Sequence, residues 1–155
     1  MSHYILDSNI LSLLQDGNDN VVKNFSRHPS GGLCVTVIAV IERLNGWYRV
    51  VGKDGTDDEK IRRYGNLAKT AKLLSRFEIH SFSKMSLAKF KELHSLRLEG
   101  FGKKEEKDLR MAAIALDYPD AIFVTQNVKH FKVIPGFLPI EDWTKYPATK
   151  HSSTH

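Results

Sequence analysis

Four short apolar runs, at residues 4–6, 33–37, 77–82 and 121–125, punctuate this chain, and the segments between them carry apolar residues at the 3.6-residue period of an amphipathic helix. Runs of that length read as buried strands. Strands separated by helical patterns read as βαβ units, whose long crossovers leave the strands parallel. The alternation therefore predicts an α/β fold with a mainly parallel central sheet and helices on both sides. In open sheets of this kind ligands collect beyond the carboxyl ends of the strands, where the strand order reverses. The residues just after each run are the place to look for chemistry.

Tyr4-Ile5-Leu6 leads directly into Asp7-Ser8-Asn9, a polar start for a helix carrying Ile10, Leu11, Leu13 and Leu14, so Asp7 stands at the carboxyl end of the first strand. A second helix is expected over residues 18–28, followed by a break at 29–32. The strand at 33–37 passes into a helix with Ile38, Ile41 and Leu44 on one face, and Glu42 lies one turn beyond Ile38 beside that stripe. After a polar loop, Asp57 is expected to cap a long basic helix reaching Arg76, with Ile61, Leu67, Ala68, Ala71 and Leu74 facing inward. A helix over residues 83–98 ends at Gly100-Phe101-Gly102, and Leu109, Ala112, Ala113 and Leu116 mark another that opens at Asp108. The fourth strand ends at Thr125, two residues before Asn127, and residues 135–143 are expected to add an edge strand. The expected organisation is one domain over residues 1–147 and a disordered tail over 148–155.

Hydrophobic residues make up 41% of the 155 and charged residues 26%, enough apolar material for one ordinary core. The longest apolar stretch, residues 33–41, is far short of the ~20 residues a membrane span needs. Residues 1–10 lack the basic start and apolar core of a signal peptide, so a cytoplasmic location away from membranes is expected. Cys34, the single cysteine, sits in an apolar run and is expected to be a buried, inert thiol; its being alone is taken to exclude both a disulfide framework and a cysteine metal site within one chain. The formal charge of +5 favours an anionic partner. Lys103, Lys104 and Lys107, beside Asp108, are candidates to hold phosphates, in a mixed-sign run that serves equally well as a solvated helix start. The seven histidines show no helical i, i+4 ligand pair, and His130 is expected to pack or cap beside Phe131.

Asp7 and Asn127 follow two strands, Glu42 rides the helix after a third, and Asp108 opens the helix that feeds a fourth; all four can converge on one crevice. Clustered carboxylates raise each other's pKa unless a cation compensates, and hard oxygen donors suit Mg²⁺ or Mn²⁺. The chemistry such a site most readily serves is phosphodiester hydrolysis. Singly, each acid has a structural explanation: Asp7 as a helix cap, Glu42 as a solvent-facing residue, Asp108 as a first-turn acid favoured by the helix dipole. The joint pattern points to a metal.

The blocks Tyr4-Ile5-Leu6-Asp7-Ser8-Asn9-Ile10, Val35-Thr36-Val37-Ile38 with Glu42, Asp108-Leu109-Arg110-Met111-Ala112-Ala113-Ile114-Ala115, and Phe123-Val124-Thr125-Gln126-Asn127-Val128-Lys129-His130-Phe131 resemble, in order, those of PIN-domain nucleases, and among them VapC-type toxins of bacterial toxin–antitoxin pairs. The resemblance runs from Tyr4 to about Trp143. It implies a PIN-like fold and a divalent-metal-dependent endoribonuclease, with Asp7, Glu42 and Asp108 at the metal-binding positions and Asn127 where many members place a fourth acid. It further implies Asn9 and Thr125 as supporting polar residues, Mg²⁺ or Mn²⁺ as cofactor, RNA as substrate, a homodimer, and a cognate VapB-like antitoxin as partner. Two features depart from the pattern. The stretch 103–107 is longer than usual, which makes Glu105 and Glu106 rival ligands, and the uncharged Asn127 lowers metal affinity. Among rival readings, a haloacid-dehalogenase-like phosphatase needs an acid where Asn9 stands, and a Rossmann-type binder needs a Gly-rich turn after the first strand, which is missing. A catalytically silent PIN scaffold acting by protein binding stands as the alternative.

Overall fold

The computed structural model describes residues 3–28 and 31–152, so the first half of the expected 29–32 break lies outside the described residues. Six strands, β1 (His3–Leu6), β2 (Leu33–Thr36), β3 (Glu78–His80), β4 (Ala121–Val124), β5 (Ile140–Asp142) and β6 (Thr149–His151), form one sheet in the order β3-β2-β1-β4-β5-β6. The first five run parallel and β6 is antiparallel to β5. The helices are α1 (Ser8–Gln15), α2 (Asp19–Ser26), α3 (Val37–Val51), α4 (Asp57–Leu74), α5 (Lys84–Ser95), α6 (Glu106–Ala115) and α7 (Val128–Lys132), with a 3₁₀ turn at Lys103–Glu105 ahead of α6.

From β1 the chain steps outward through β2 to β3, then returns past β1 to β4 and steps outward the other way. Right-handed crossovers therefore put α1 to α4 on one face and α5 to α7 on the other. The order reverses between β1 and β4, so their carboxyl ends flank the switch-point crevice. Neighbouring residues of β1, Ile5 and Leu6, are both fully buried, which requires cover on both faces and explains why the strand reads as continuous apolar sequence rather than as alternation. Phe123, Phe131 and Phe137 pack as a ring cluster under β4 and α7, with Phe123 and Phe131 centroids 4.7 Å apart. Trp143 is fully buried and donates its indole N–H to Glu141 at 3.0 Å. No helix among the described residues is long and apolar enough to cross a membrane.

Three expectations need correction. Residues 149–151, expected in a disordered tail from 148, form β6, because β5 leaves one set of backbone groups open and the chain turns back to pair with them; residues 153–155 lie outside the described residues. For the same reason the strand inside 135–143 is not an edge but the parallel partner of β4. Finally, Thr56 rather than Asp57 caps α4, accepting from Glu59 N at 3.1 Å, and the inner face of that helix is rotated from the expected one. Ile61 is 70% exposed, and Ala68 and Ala71 face solvent, whereas Thr70 is buried with Leu74. A polar anchor sets this rotation: the Thr70 hydroxyl donates to Gln15 Oε1 at 2.6 Å and accepts the Trp47 indole N–H at 2.7 Å. A stripe counted from apolar residues alone misses a helix held by hydrogen bonds to its neighbours.

Candidate metal and active site

The end of β1 delivers Asp7 in extended geometry at the N-terminus of α1, where its Oδ1 accepts the Ile10 N–H at 3.1 Å. Its Oδ2 accepts the hydroxyl of Thr125 at 2.5 Å, and that hydroxyl in turn accepts the Asn127 N–H at 3.0 Å. Capping does not use up the carboxylate, since each oxygen keeps a second lone pair for a further ligand. Asp7 is almost wholly buried, and its pKa is raised to about 6, chiefly by burial and further by the charge of Asp108, against the lowering effect of hydrogen bonds from Thr125, Ile10 and the Asn9 backbone. Asn9 thus supports Asp7 through its main chain while the residue itself is exposed.

Glu42 is one turn into α3, a helix capped by Thr36, which accepts from Ala39 N at 3.2 Å. Its Oε2 lies 2.8 Å from the Lys107 ammonium. Its Oε1 is buried and, among the described residues, is the buried side-chain polar atom without a hydrogen-bond partner. Asp108 stands in the first turn of α6, and its Oδ2 meets His130 Nε2 at 3.1 Å, with the imidazole held flat against Phe101 at 4.1 Å between ring centroids. Lys107 senses both Glu42 and Asp108, which hold its ammonium above the usual lysine pKa, with the Glu42 hydrogen bond the largest influence. The fold therefore brings Asp7 and Asp108 into mutual range and draws Glu42 to the same edge through Lys107.

This donor set fits a hard divalent cation. An orphaned carboxylate oxygen at the edge where the buried Asp7 and the half-buried Asp108 repel each other lacks a compensating positive charge, and Lys107 supplies only one. Asn127 is exposed at the mouth of a cavity of about 630 Å³, lined also by Lys129, His130 and Lys132. A second cavity of about 470 Å³ exposes Glu42 between Ile38, Ile41, Arg49 and Arg110. Lys103 and Lys104 are exposed on the 3₁₀ turn. Lys107, expected among the phosphate contacts, is instead paired with Glu42, because the first turn of α6 faces α3 across the sheet edge. Glu106, one of the two rival ligands, turns toward α5 and the next turn of α6, pairing with His94 at 3.5 Å and Arg110 at 3.3 Å.

The sequence places His130 beside Phe131 as a packing or capping residue but not in contact with Asp108, and it does not single out Arg49 or Arg110. The signal for His130 was its place three residues past Asn127, on the segment leaving β4, but the direction of so short a helix is set by its packing. Thr125 is the natural test of how Asp7 is held. Thr125→Val keeps the shape and removes both hydrogen bonds, so stability should fall by about 1–3 kcal/mol, with the Asp7 pKa moving further up; Thr125→Ser should restore both. Thermal melts of the three proteins with NMR titration of Asp7 check this.

A second polar group stands at the opposite, amino-terminal edge of the sheet. One donor atom each from His3, Cys34 and Glu78 lies within 4.8 Å of the others. Cys34 is buried as expected, yet its being alone did not isolate it from metal-binding partners, because strand register supplies the other two.

No known family profile and no curated protein matches this chain. Among solved structures, a chain of VapBC2 from Rickettsia felis, crystallised with a DNA fragment from its promoter, superposes with a TM-score of 0.70 at 25% identity, over 90% of this chain and 98% of that one. A chain of DNA-bound VapBC from Salmonella typhimurium gives 0.71 at 20% identity, over 92% and 99%. A chain of VapBC-1 from nontypeable Haemophilus influenzae gives 0.65 at 22% identity, over 92% and 98%.

Proposed function

With a VapC-like PIN domain as its fold, we propose that this chain is the toxin of a toxin–antitoxin pair and a divalent-metal-dependent endoribonuclease. The observation that carries the reading is the unpartnered Glu42 Oε1 at the same sheet edge as the buried Asp7 and the half-buried Asp108. Asp7, Glu42 and Asp108 would hold Mg²⁺ or Mn²⁺, with Asn127 as a weaker neutral neighbour. When bound, the ion would supply Lewis acidity at the scissile phosphate and for the attacking water. The chain's own residues do the positioning. Thr125 and the Ile10 N–H fix the Asp7 carboxylate, and His130 fixes that of Asp108. Lys107 neutralises one charge of the cluster. Lys103, Lys104, Arg49 and Lys129 offer positive charge around the crevice for flanking phosphates of RNA. A VapB-like antitoxin as partner and a cytoplasmic location belong to the same reading.

The test is RNA cleavage in Mg²⁺ or Mn²⁺ beside an EDTA control and an Asp7→Asn protein. Cleavage that persists in excess EDTA would sink the metal reading. The Lys107–Glu42 ion pair favours one other reading, a silent scaffold acting by protein binding, in which the lysine substitutes for the ion. No cleavage with either metal, together with no metal uptake, would select it.

A homodimer completes the proposal. Tyr48 on α3 and Ile61 and Tyr64 on α4 are 63%, 70% and 59% exposed, an apolar surface that a second copy would cover. Light scattering is expected to return twice the 17.6 kDa chain mass, and Ile61→Lys combined with Tyr64→Lys should return the monomer. A parent protein that stays monomeric at micromolar concentration would remove the dimer.

A further inference from the structure

Parallel pairing aligns Cys34 of β2 with Ile5 of β1 and with Glu78 of β3. Because side chains alternate faces along a strand, His3, two residues before Ile5, points to the same face as Cys34 and Glu78. Three neighbouring strands thus each contribute one metal-ligating side chain to one point. Cys34 Sγ lies 4.0 Å from His3 Nδ1 and 4.0 Å from Glu78 Oε2. These separations are long for hydrogen bonds. They are close to the ~3.5 Å between donors around a tetrahedral Zn²⁺ with Zn–S ≈ 2.3 Å and Zn–N or Zn–O ≈ 2.0–2.2 Å.

Cys34 is locked in the core, whereas His3 and Glu78 are exposed, so their side chains can swing inward from the present separations of up to 4.8 Å. A cavity of about 360 Å³ adjoins them, walled by His80, Asp117 and Tyr118, with His80 stacked on Tyr118 at 3.8 Å. It gives water a path to a fourth coordination position.

We propose that His3, Cys34 and Glu78 form a second metal site, selective for Zn²⁺, with water as the fourth ligand. Thiolate and imidazole donors select a borderline-soft ion and disfavour Mg²⁺. On binding, the thiol proton leaves to solvent and the sulfur coordinates as thiolate. The site is distinct from the carboxylate edge: β1 is four residues long, which at ~3.3 Å per residue puts about 13 Å between His3 and Asp7. Its effect is to clip β1, β2 and β3 together at their amino ends. Zinc therefore acts on the fold and not on the phosphodiester chemistry.

Titrating the full, metal-free chain with Co²⁺, a spectroscopic stand-in for Zn²⁺, tests this. One equivalent should produce a sulfur-to-cobalt charge-transfer band that Zn²⁺ abolishes and excess Mg²⁺ leaves in place. His3→Ala and Glu78→Gln, both at the surface, should each weaken Zn²⁺ by more than about tenfold and cancel the rise in Tm that Zn²⁺ gives the parent. Cys34→Ser should lose the band. Asp7→Asn should keep it, which separates this site from the carboxylate one whatever the outcome of the cleavage assay. Absence of the band in the parent, or Zn²⁺ affinity unchanged in His3→Ala and Glu78→Gln, would overturn the proposal.

Discussion

Asp7→Asn is expected to reduce RNA cleavage by at least about 100-fold, the upper end of what losing even an outer partner of a metal site costs, and at the same time to stabilise the metal-free protein at neutral pH. The second half follows from linkage. The Asp7 pKa is raised from 3.8 to about 6 by burial and by Asp108, so folding favours the protonated acid. That contribution is fully present below the unfolded value and is lost as pH rises through about 6. At pH 7 the ionised carboxylate therefore costs the metal-free fold about 3 kcal/mol, taking 1.36 kcal/mol for each pH unit between the two values. Asparagine removes the charge while its side-chain oxygen still caps Ile10 N and its amide can donate to the Thr125 hydroxyl. At roughly 2–4 °C per kcal/mol for a domain of this size, the variant should melt several degrees above the parent at pH 7.5 in EDTA, and the gap should shrink to roughly a third of that at pH 4.5, closing only below the unfolded value of 3.8. A variant that melts below the parent at both pH values would show that Asp7 serves the fold alone. Parental cleavage would remove it from the site.

Asp108→Asn should also reduce cleavage by about 100-fold or more, without loss of fold. The apolar face of α6, with Leu109, Ala112 and Ala113 buried, is untouched, and the asparagine oxygen can still accept from His130. Relief of repulsion should lower the Asp7 pKa, since Asp108 is one of the influences that raise it. Asn127→Asp is the counter-experiment. It adds a charged oxygen at the mouth of the crevice and should tighten Mn²⁺ binding, moving affinity opposite to Asp108→Asn. Calorimetric titration of Mn²⁺ into the two variants and the parent reads both directions at once. With Glu106 engaged by His94 and Arg110, Glu105 on the preceding turn is the acid left to replace Asp108, and unchanged Mn²⁺ affinity in Asp108→Asn would take Asp108 out of the site in its favour.

Much of this architecture was legible locally. Strand and helix alternation, the helix starts near Asn18 and Ser83, and the places of Asp7 and Thr125 at strand ends all follow from periodicity and polar punctuation within a few residues. Those properties belong to segments, and a segment carries them in its own sequence. Whatever depended on two segments meeting was left to the tertiary structure. The Glu42–Lys107 pair spans 65 residues and the Asp108–His130 contact 22, so neither leaves a mark in spacing. The inner face of α4 was decided by Thr70 reaching Gln15 and Trp47, a polar contact that apolar counting assigns to solvent. β6 formed because β5 offered an unpaired edge, which the polar composition of residues 149–151 does not announce. Cys34 was the sole cysteine in sequence, and only strand register set a histidine and a glutamate beside it. Sequence determined which residues end strands and open helices, because backbone preference and burial period are local. Tertiary structure decided which of those residues share charge and ligands, because that depends on register and helix rotation, and both are set by the packing of distant segments.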